Sequence, residues 1–234
     1  MDFANRTVVV TGAAGHLGRA VAGAFAARGA SLVLVDQHAD GLTQTYGAED
    51  ARRMFAPTDL RDREQTDAAV RRAVERFGGV DVLCNVAGGF RMGEAVHETS
   101  PEAWTFLLDI NARTMLNACH AVVPHLLASG GGKVVNVAAF AGQHGVAQMG
   151  AYTASKSAVI RLTEAMSAEL REKQVNVNCV LPTTLDTPVN RAAMPDADPS
   201  RWVAPADLAN VIVFLASDEA RAVHGAAIPV VGLG

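Results

Sequence analysis

Cysteine is scarce: Cys84, Cys119 and Cys179 are the only three, far apart and odd in number. No CxxC pair occurs, so neither a disulfide framework nor a zinc site is indicated, and buried free thiols in a reducing compartment are expected. Charge is also sparse, at 19% of residues, and the formal net charge of -4 comes without a long basic run. That balance argues against nucleic acid as a partner. Long apolar runs are missing too; none approaches the roughly 20 residues that a membrane helix needs. The opening MDFANR is polar and acidic and does not read as a signal peptide. A soluble, cytoplasmic chain without a membrane partner is the expectation.

What is present is a 50% hydrophobic composition with 21 glycines in 234 residues, which suits a compact α/β domain and is too apolar for disorder. RTVVVT (6–11), SLVLVD (31–36), VDVLCNVA (80–87), KVVNVA (133–138) and VNVNCVL (175–181) are short, nearly continuous apolar runs. Such runs suit strands buried on both faces of a parallel sheet. MFAPTDL (54–60) is a weaker strand, and AAIPVVG (226–232) closes the sheet. Helical patterns occupy 16–29, 62–78, a long segment from about 101 to 129, and 151–173. The alternation predicts a single-domain, Rossmann-type doubly wound parallel sheet of about seven strands with helices on both faces. One Pro-rich stretch, 186–205, interrupts the pattern and is expected either as a substrate lid or as a plain surface loop.

The first strand runs directly into TGAAGHLG (11–18) and then a helix. Gly12 permits a tight turn, Gly15 lets backbone approach a pyrophosphate, and Gly18 lets the helix pack close to the strand. The helix start, with His16 and Leu17, offers free N–H groups and a positive dipole end to phosphates. A tight strand-to-helix connection without a ligand would use the same glycines. Asp36 ends the second strand, where its carboxylate can accept from an adenosine ribose diol. A carboxylate there repels a 2′-phosphate, and Gln37 and His38 add no fixed positive charge, which favours NAD(H) over NADP(H). Tyr152 and Lys156 are four residues apart on one helix and project from the same face. A phenol with its ordinary pKa of about 10 exchanges protons poorly near neutrality, and a nearby ammonium is expected to lower that value.

Together these pieces resemble the short-chain dehydrogenase/reductase family, over nearly the whole chain. TGAAGHLG is similar to its cofactor loop, with His16 where the commonest form has glycine. Asp59 and Leu60 stand where the family packs an Asp-hydrophobic pair around adenine. Asn85-Val86-Ala87-Gly88 resembles its NNAG motif with Val86 for the second Asn, and Asn111 matches its structural-catalytic Asn. Tyr152 and Lys156 match its YxxxK pair. Pro182 to Thr187, with Leu185 inside it, resembles the segment holding the nicotinamide amide. A narrower likeness, over 83–90 and 181–202, is to the dihydropteridine reductase branch.

The resemblance implies a catalytic set of Tyr152, Lys156 and Asn111. Tyr152 exchanges the substrate proton, Lys156 also bonds the nicotinamide ribose, and Asn111 holds a water that links Lys156 to solvent. It implies a small carbonyl, hydroxyl or quinonoid substrate, a dihydropterin among them, and a homo-oligomer, tetramer before dimer; no metal is expected. It also exposes a departure. The family's substrate-orienting serine stands thirteen residues before the tyrosine, and here that position is Ala139, whose methyl group donates nothing. Gln143, His144 or Gln148 could substitute, the substrate could need less help, or the chain could be a dinucleotide-binding sensor without redox activity.

Overall fold

The computed structural model describes residues 1–233. Its centre is a seven-stranded, fully parallel sheet: β1 (Thr7–Thr11), β2 (Ser31–Asp36), β3 (Arg53–Pro57), β4 (Val82–Asn85), β5 (Gly132–Val137), β6 (Val175–Pro182) and β7 (Ala227–Val230). The spatial order is β3-β2-β1-β4-β5-β6-β7, so the chain reverses direction across the sheet between β1 and β4. A crevice beyond the carboxyl ends of the strands at that reversal is where such sheets bind ligands.

The strands are continuous apolar runs because both faces are covered. On one face α1 (His16–Ala26) and α8 (Pro205–Ala216) bury Val21, Phe25, Leu208 and Ile212 against Val8, Val10 and Leu34. On the other, α3 (Arg63–Phe77), α5 (Thr114–Ala128) and α6 (Gly150–Leu170) bury Val70, Val122, Leu126 and Ile160 against Val9, Leu83, Val134 and Val177. The alternation of neighbouring strand residues between the two clusters is the period-2 geometry of a pleated strand. Helix ends follow local chemistry: Asp62 caps α3 by accepting from Gln65 N, and Gly78 stops it at φ 82°.

Several elements differ from the sequence reading. The run 80–87 forms a strand only over Val82–Asn85. The long helix expected at 101–129 is two helices, α4 (Pro101–Leu108) and α5, joined by a π turn at Asp109–Arg113. An unanticipated short helix, α2 (Ala39–Tyr46), follows β2. Within 186–205 lie α7 (Pro188–Ala193) and a short 3₁₀ turn. Among the described residues no helix is long and apolar enough to cross a membrane, and the three cysteines are free and buried.

Candidate active site

The loop from β1 to α1 is shaped by backbone contact. Gly12 has φ +62°, and a Cβ there would lie 2.9 Å from the Ala87 Cα. A Cβ on Gly18 would lie 2.1 Å from the Gly12 carbonyl oxygen and 2.8 Å from the Ala13 Cα. Neither position has room for a side chain. Gly15 differs: its φ is −73°, and its only neighbour within 4 Å of an added Cβ is the Gly12 oxygen, at 3.2 Å. The protein itself therefore leaves space over Gly15. No side chain caps α1 and no acidic residue stands in its first turn, so its leading N–H groups are left for an anion. His16 is exposed at the first helical position, whereas the Leu17 side chain is buried in the core. Leu17 can thus serve a ligand only through its backbone.

Asp36 is fixed beside this loop: its Oδ2 accepts from Ala14 N at 2.9 Å and its Oδ1 from Gln37 N at 2.8 Å. Tyr46, from the unanticipated α2, donates to the Ala13 carbonyl at 2.7 Å and braces the same loop. Burial pushes its phenol up to about 12. Thr11 is a second organiser, one that no sequence motif marks. Its Oγ1 accepts from both Val86 N and Ala87 N, at 3.0 and 3.1 Å, and so sets the path of the chain after β4.

The side chains at three further expected dinucleotide positions are engaged within the protein itself. The Asn85 side chain is 4% exposed and points into the core, donating to Asn136 Oδ1 at 2.8 Å and toward Cys119 Sγ at 3.4 Å. Asn136 in turn donates to Thr163 Oγ1 at 2.8 Å, so Asn85 ties β4 to β5 and α6 and does not face the crevice with its amide. Leu60 is buried in the core cluster, because the turn after β3 sends its side chain inward. Asp59 is held by Arg61 through bonds of 2.9 and 2.7 Å, and that guanidinium keeps its carboxyl below the usual range.

The Tyr152 and Lys156 side chains lie where α6 passes the ends of β4 and β5. Lys156 is 6% exposed and its Nζ donates to the Val137 carbonyl at 3.1 Å. A Cβ on Gly88 would lie 3.1 Å from that Nζ and 2.8 Å from Asn111 Oδ1, so glycine is what lets the chain after β4 approach both. Asn111, in the π turn, accepts from Gly89 N and donates to Gly89 O, both at 3.0 Å, and donates to Ser155 Oγ at 3.1 Å. Its amide donors are spent on clamping the β4–α4 loop to α6. The Phe90 ring stands edge-on to the Tyr152 ring, with centroids 4.8 Å apart and planes at 87°.

Without a dinucleotide, burial acts on the phenol against the expected lowering. Burial pushes Tyr152 up to about 12, and burial also brings Lys156 down to about 8. Desolvation is the cause of both shifts, and the Lys156 ammonium donates to Val137 O and makes no hydrogen bond to the phenol. Lys156 sits below its ordinary 10.5 when folded, so the unfolded chain binds more protons between about 8 and 10.5. Its contribution to stability therefore improves as pH rises through that window and is a penalty below it. Lys156→Met should accordingly raise unfolding stability near pH 7 by roughly 1–3 kcal/mol, with the gain fading toward pH 10. A urea titration at several pH values checks this; a variant less stable at pH 7, or a gain that does not fade, contradicts it.

Ala138 and Ala139 are buried, and neither side chain carries a hydroxyl. Gln143, His144 and Gln148 are all exposed, and none makes a side-chain hydrogen bond among the described residues. At the end of β6, Pro182 is the last strand residue and Leu185 bridges to Val203. Thr187 caps α7 by accepting from Asn190 N at 3.2 Å. The glycine loop, Asp36, Gly88, Lys156, Tyr152 and the β6–α7 segment all lie at or beyond the carboxyl ends of strands.

A family model described as short chain dehydrogenase matches residues 6–198. The chain belongs to the short-chain dehydrogenase family. Among its curated relatives is a 2,5-dichloro-2,5-cyclohexadiene-1,4-diol dehydrogenase from Sphingobium indicum, 31% identical over 98% of this chain and 96% of the relative. D-threitol dehydrogenase from Mycolicibacterium smegmatis is 35% identical over 94% of this chain and 89% of its own. Among solved structures, carveol dehydrogenase from Mycobacterium avium in complex with NAD superposes with a TM-score of 0.88 and 30% identity, covering 97% and 96% of the two chains. As a member of this family, the chain is an oxidoreductase of the nicotinamide-dependent dehydrogenase type.

Proposed function

We propose that this dehydrogenase is NAD(H)-dependent and interconverts a small secondary alcohol and its carbonyl form, with Tyr152 giving or taking the proton. The observation that carries the reading is the meeting of a phenol, a buried ammonium and an uncapped, glycine-lined helix start at one end of one sheet. The space over Gly15 and the free N–H groups of α1 fit a pyrophosphate, and Asp36 fits a ribose diol. Ala87, Gly88 and the Pro182–Thr187 segment would flank the nicotinamide half, with Lys156 on its ribose. Bound there, the dinucleotide supplies or accepts a hydride.

The chain's own residues handle the proton. Lys156 carries three N–H donors and has one on Val137 O, so its buried charge is available to a neighbouring hydroxyl or phenolate. Gathering positive charge beside Tyr152 Oη would bring the phenol down from about 12 toward a working range. Asn111 keeps Gly89 and Ser155, and with them the phenol's helix, in place.

Ala139 favours a second reading. Without a hydroxyl there, charge developing on a substrate oxygen loses a donor, a deficit of about 10²–10³ in rate when an alkoxide forms. A ring that delocalises the charge, such as a quinonoid dihydropterin, would suffer less, and a dinucleotide sensor would not suffer at all. The test is the absorbance of reduced nicotinamide with NAD or NADP and a panel of alcohols, ketones and quinonoid dihydropterin. Turnover with NAD supports the proposal; tight dinucleotide binding with no turnover across the panel supports the sensor.

Asp36 carries the cofactor choice. Asp36→Ala should weaken NAD binding about tenfold and narrow the preference over NADP, since it removes the diol acceptor and the repulsion of a 2′-phosphate together. Competitive binding of the two dinucleotides checks it. An unchanged preference would remove Asp36 from the site.

A further inference from the structure

Two segments at the open end of the sheet present apolar side chains to solvent. In the loop after β4, Phe90, Met92 and Val96 are 54%, 57% and 75% exposed; at α7, Val189 and its C-cap Met194 are 66% and 38% exposed. The charged neighbours in the same segments are turned to other partners. The Arg91 guanidinium lies 4.0 Å from the centroid of the Phe106 ring, and Glu94 accepts from Ser100 N at 3.0 Å. Arg191 pairs with Asp186 at 2.6 Å. The loop is also seated on the start of α6: Gly93 N donates to Gln148 O at 2.9 Å, and Phe90 meets the Tyr152 ring edge-on.

Resting on the functional reading above, we infer that Phe90 sets the substrate class. Its ring is an apolar wall beside the reacting phenol, suited to an alcohol or ketone carried on an apolar ring and unsuited to polyols and carboxylates. A ring placed against Phe90 removes apolar surface from water on both partners. A polyol would give up water at its extra hydroxyls and find methyl and ring carbons in exchange, with Ala139 adding no donor. A carboxylate would meet Arg91 and Arg191 only after breaking their present contacts. The family relatives act on substrates of both kinds, a ring diol and threitol, so membership alone leaves the choice open.

The test compares 4-methylcyclohexanol, a four-carbon polyol and a 2-hydroxy acid with NAD, in the full chain and in Phe90→Ala and Phe90→Leu. The ring alcohol should be preferred at least about 100-fold in kcat/KM. Phe90→Ala should raise its KM about tenfold or more with little change in kcat, and Phe90→Leu should recover most of the loss. Calorimetric binding of 4-methylcyclohexanone to the NAD-loaded protein should weaken in parallel, which reads the wall without turnover. Preference for the polyol or acid, ketone binding indifferent to Phe90→Ala, or a change of mass in light scattering that places Phe90 against a second copy would each overturn the inference. Phe90-dependent ketone binding with no turnover of any probe would sustain the wall and sink the redox reading instead.

Discussion

Tyr152→Phe is expected to lower turnover by about 10²–10⁴-fold, the range a positioned proton donor contributes, while the affinity for NAD changes little. The substitution removes one oxygen and keeps the ring. The edge-on packing with Phe90 at 4.8 Å is a contact of rings, so it survives. The clamp of Asn111 on Gly89 and Ser155 does not involve the phenol, and Ser155 reaches only the Tyr152 backbone carbonyl, at 2.7 Å. Loss of rate without loss of binding is thus the signature of a group acting on the proton. Steady-state kinetics with a dinucleotide binding isotherm separates the two. A variant turning over at the parent rate removes Tyr152 from the chemistry, and one that no longer binds NAD marks a structural role.

The second large effect falls on the fold. Gly18→Val should cost at least about 3 kcal/mol of stability, because the new side chain meets backbone on two sides and no rotamer relieves it. A Cβ at 2.1 Å from the Gly12 oxygen forces α1 away from the loop, which would take the helix start out of register with Asp36 and abolish dinucleotide binding. The same helix holds its own control. Gly23 is exposed with nothing within 4 Å of an added Cβ, so Gly23→Ala should stabilise by about 0.5–1 kcal/mol through helix propensity. Denaturant midpoints of opposite sign in the two variants confirm that close approach, not glycine content, is what the loop requires. Equal shifts would contradict it.

Strands buried on both faces betray themselves as unbroken apolar runs, so β1, β2, β4, β5 and β6 are legible from residues alone. The terminal β7 and the Pro-ended β3 are legible as well, less sharply. The helix at Ala39–Tyr46 was not, since Leu42 is its one buried residue and gives no period to read. The π turn at Asp109–Arg113 left no mark because apolar spacing continues on either side of it. At the site, the spacing of Tyr152 and Lys156 was legible, as helix geometry makes four residues one face. Side-chain direction was not: Asn85 and Leu60 turn inward because tertiary packing, not motif, chooses their rotamers. Nor is the depth of burial that raises the phenol. Thr11 and Tyr46 are not legible as organisers, because a hydroxyl that braces a loop has no pattern of its own.

The central claim is that Tyr152 becomes an effective proton donor and acceptor only when positive charge is gathered around it at the dinucleotide site. The chain has two tyrosines, so Tyr46→Phe leaves Tyr152 as the sole phenol. Ultraviolet difference absorbance of that variant near pH 8, where Lys156 still carries about half its charge and an ordinary phenol is almost wholly protonated, then reads Tyr152 alone. The account predicts almost no phenolate without dinucleotide, since burial holds the group at about 12, and a large phenolate signal on saturation with NAD. A phenol already half ionised beforehand, or one that stays silent after NAD binds, would contradict it.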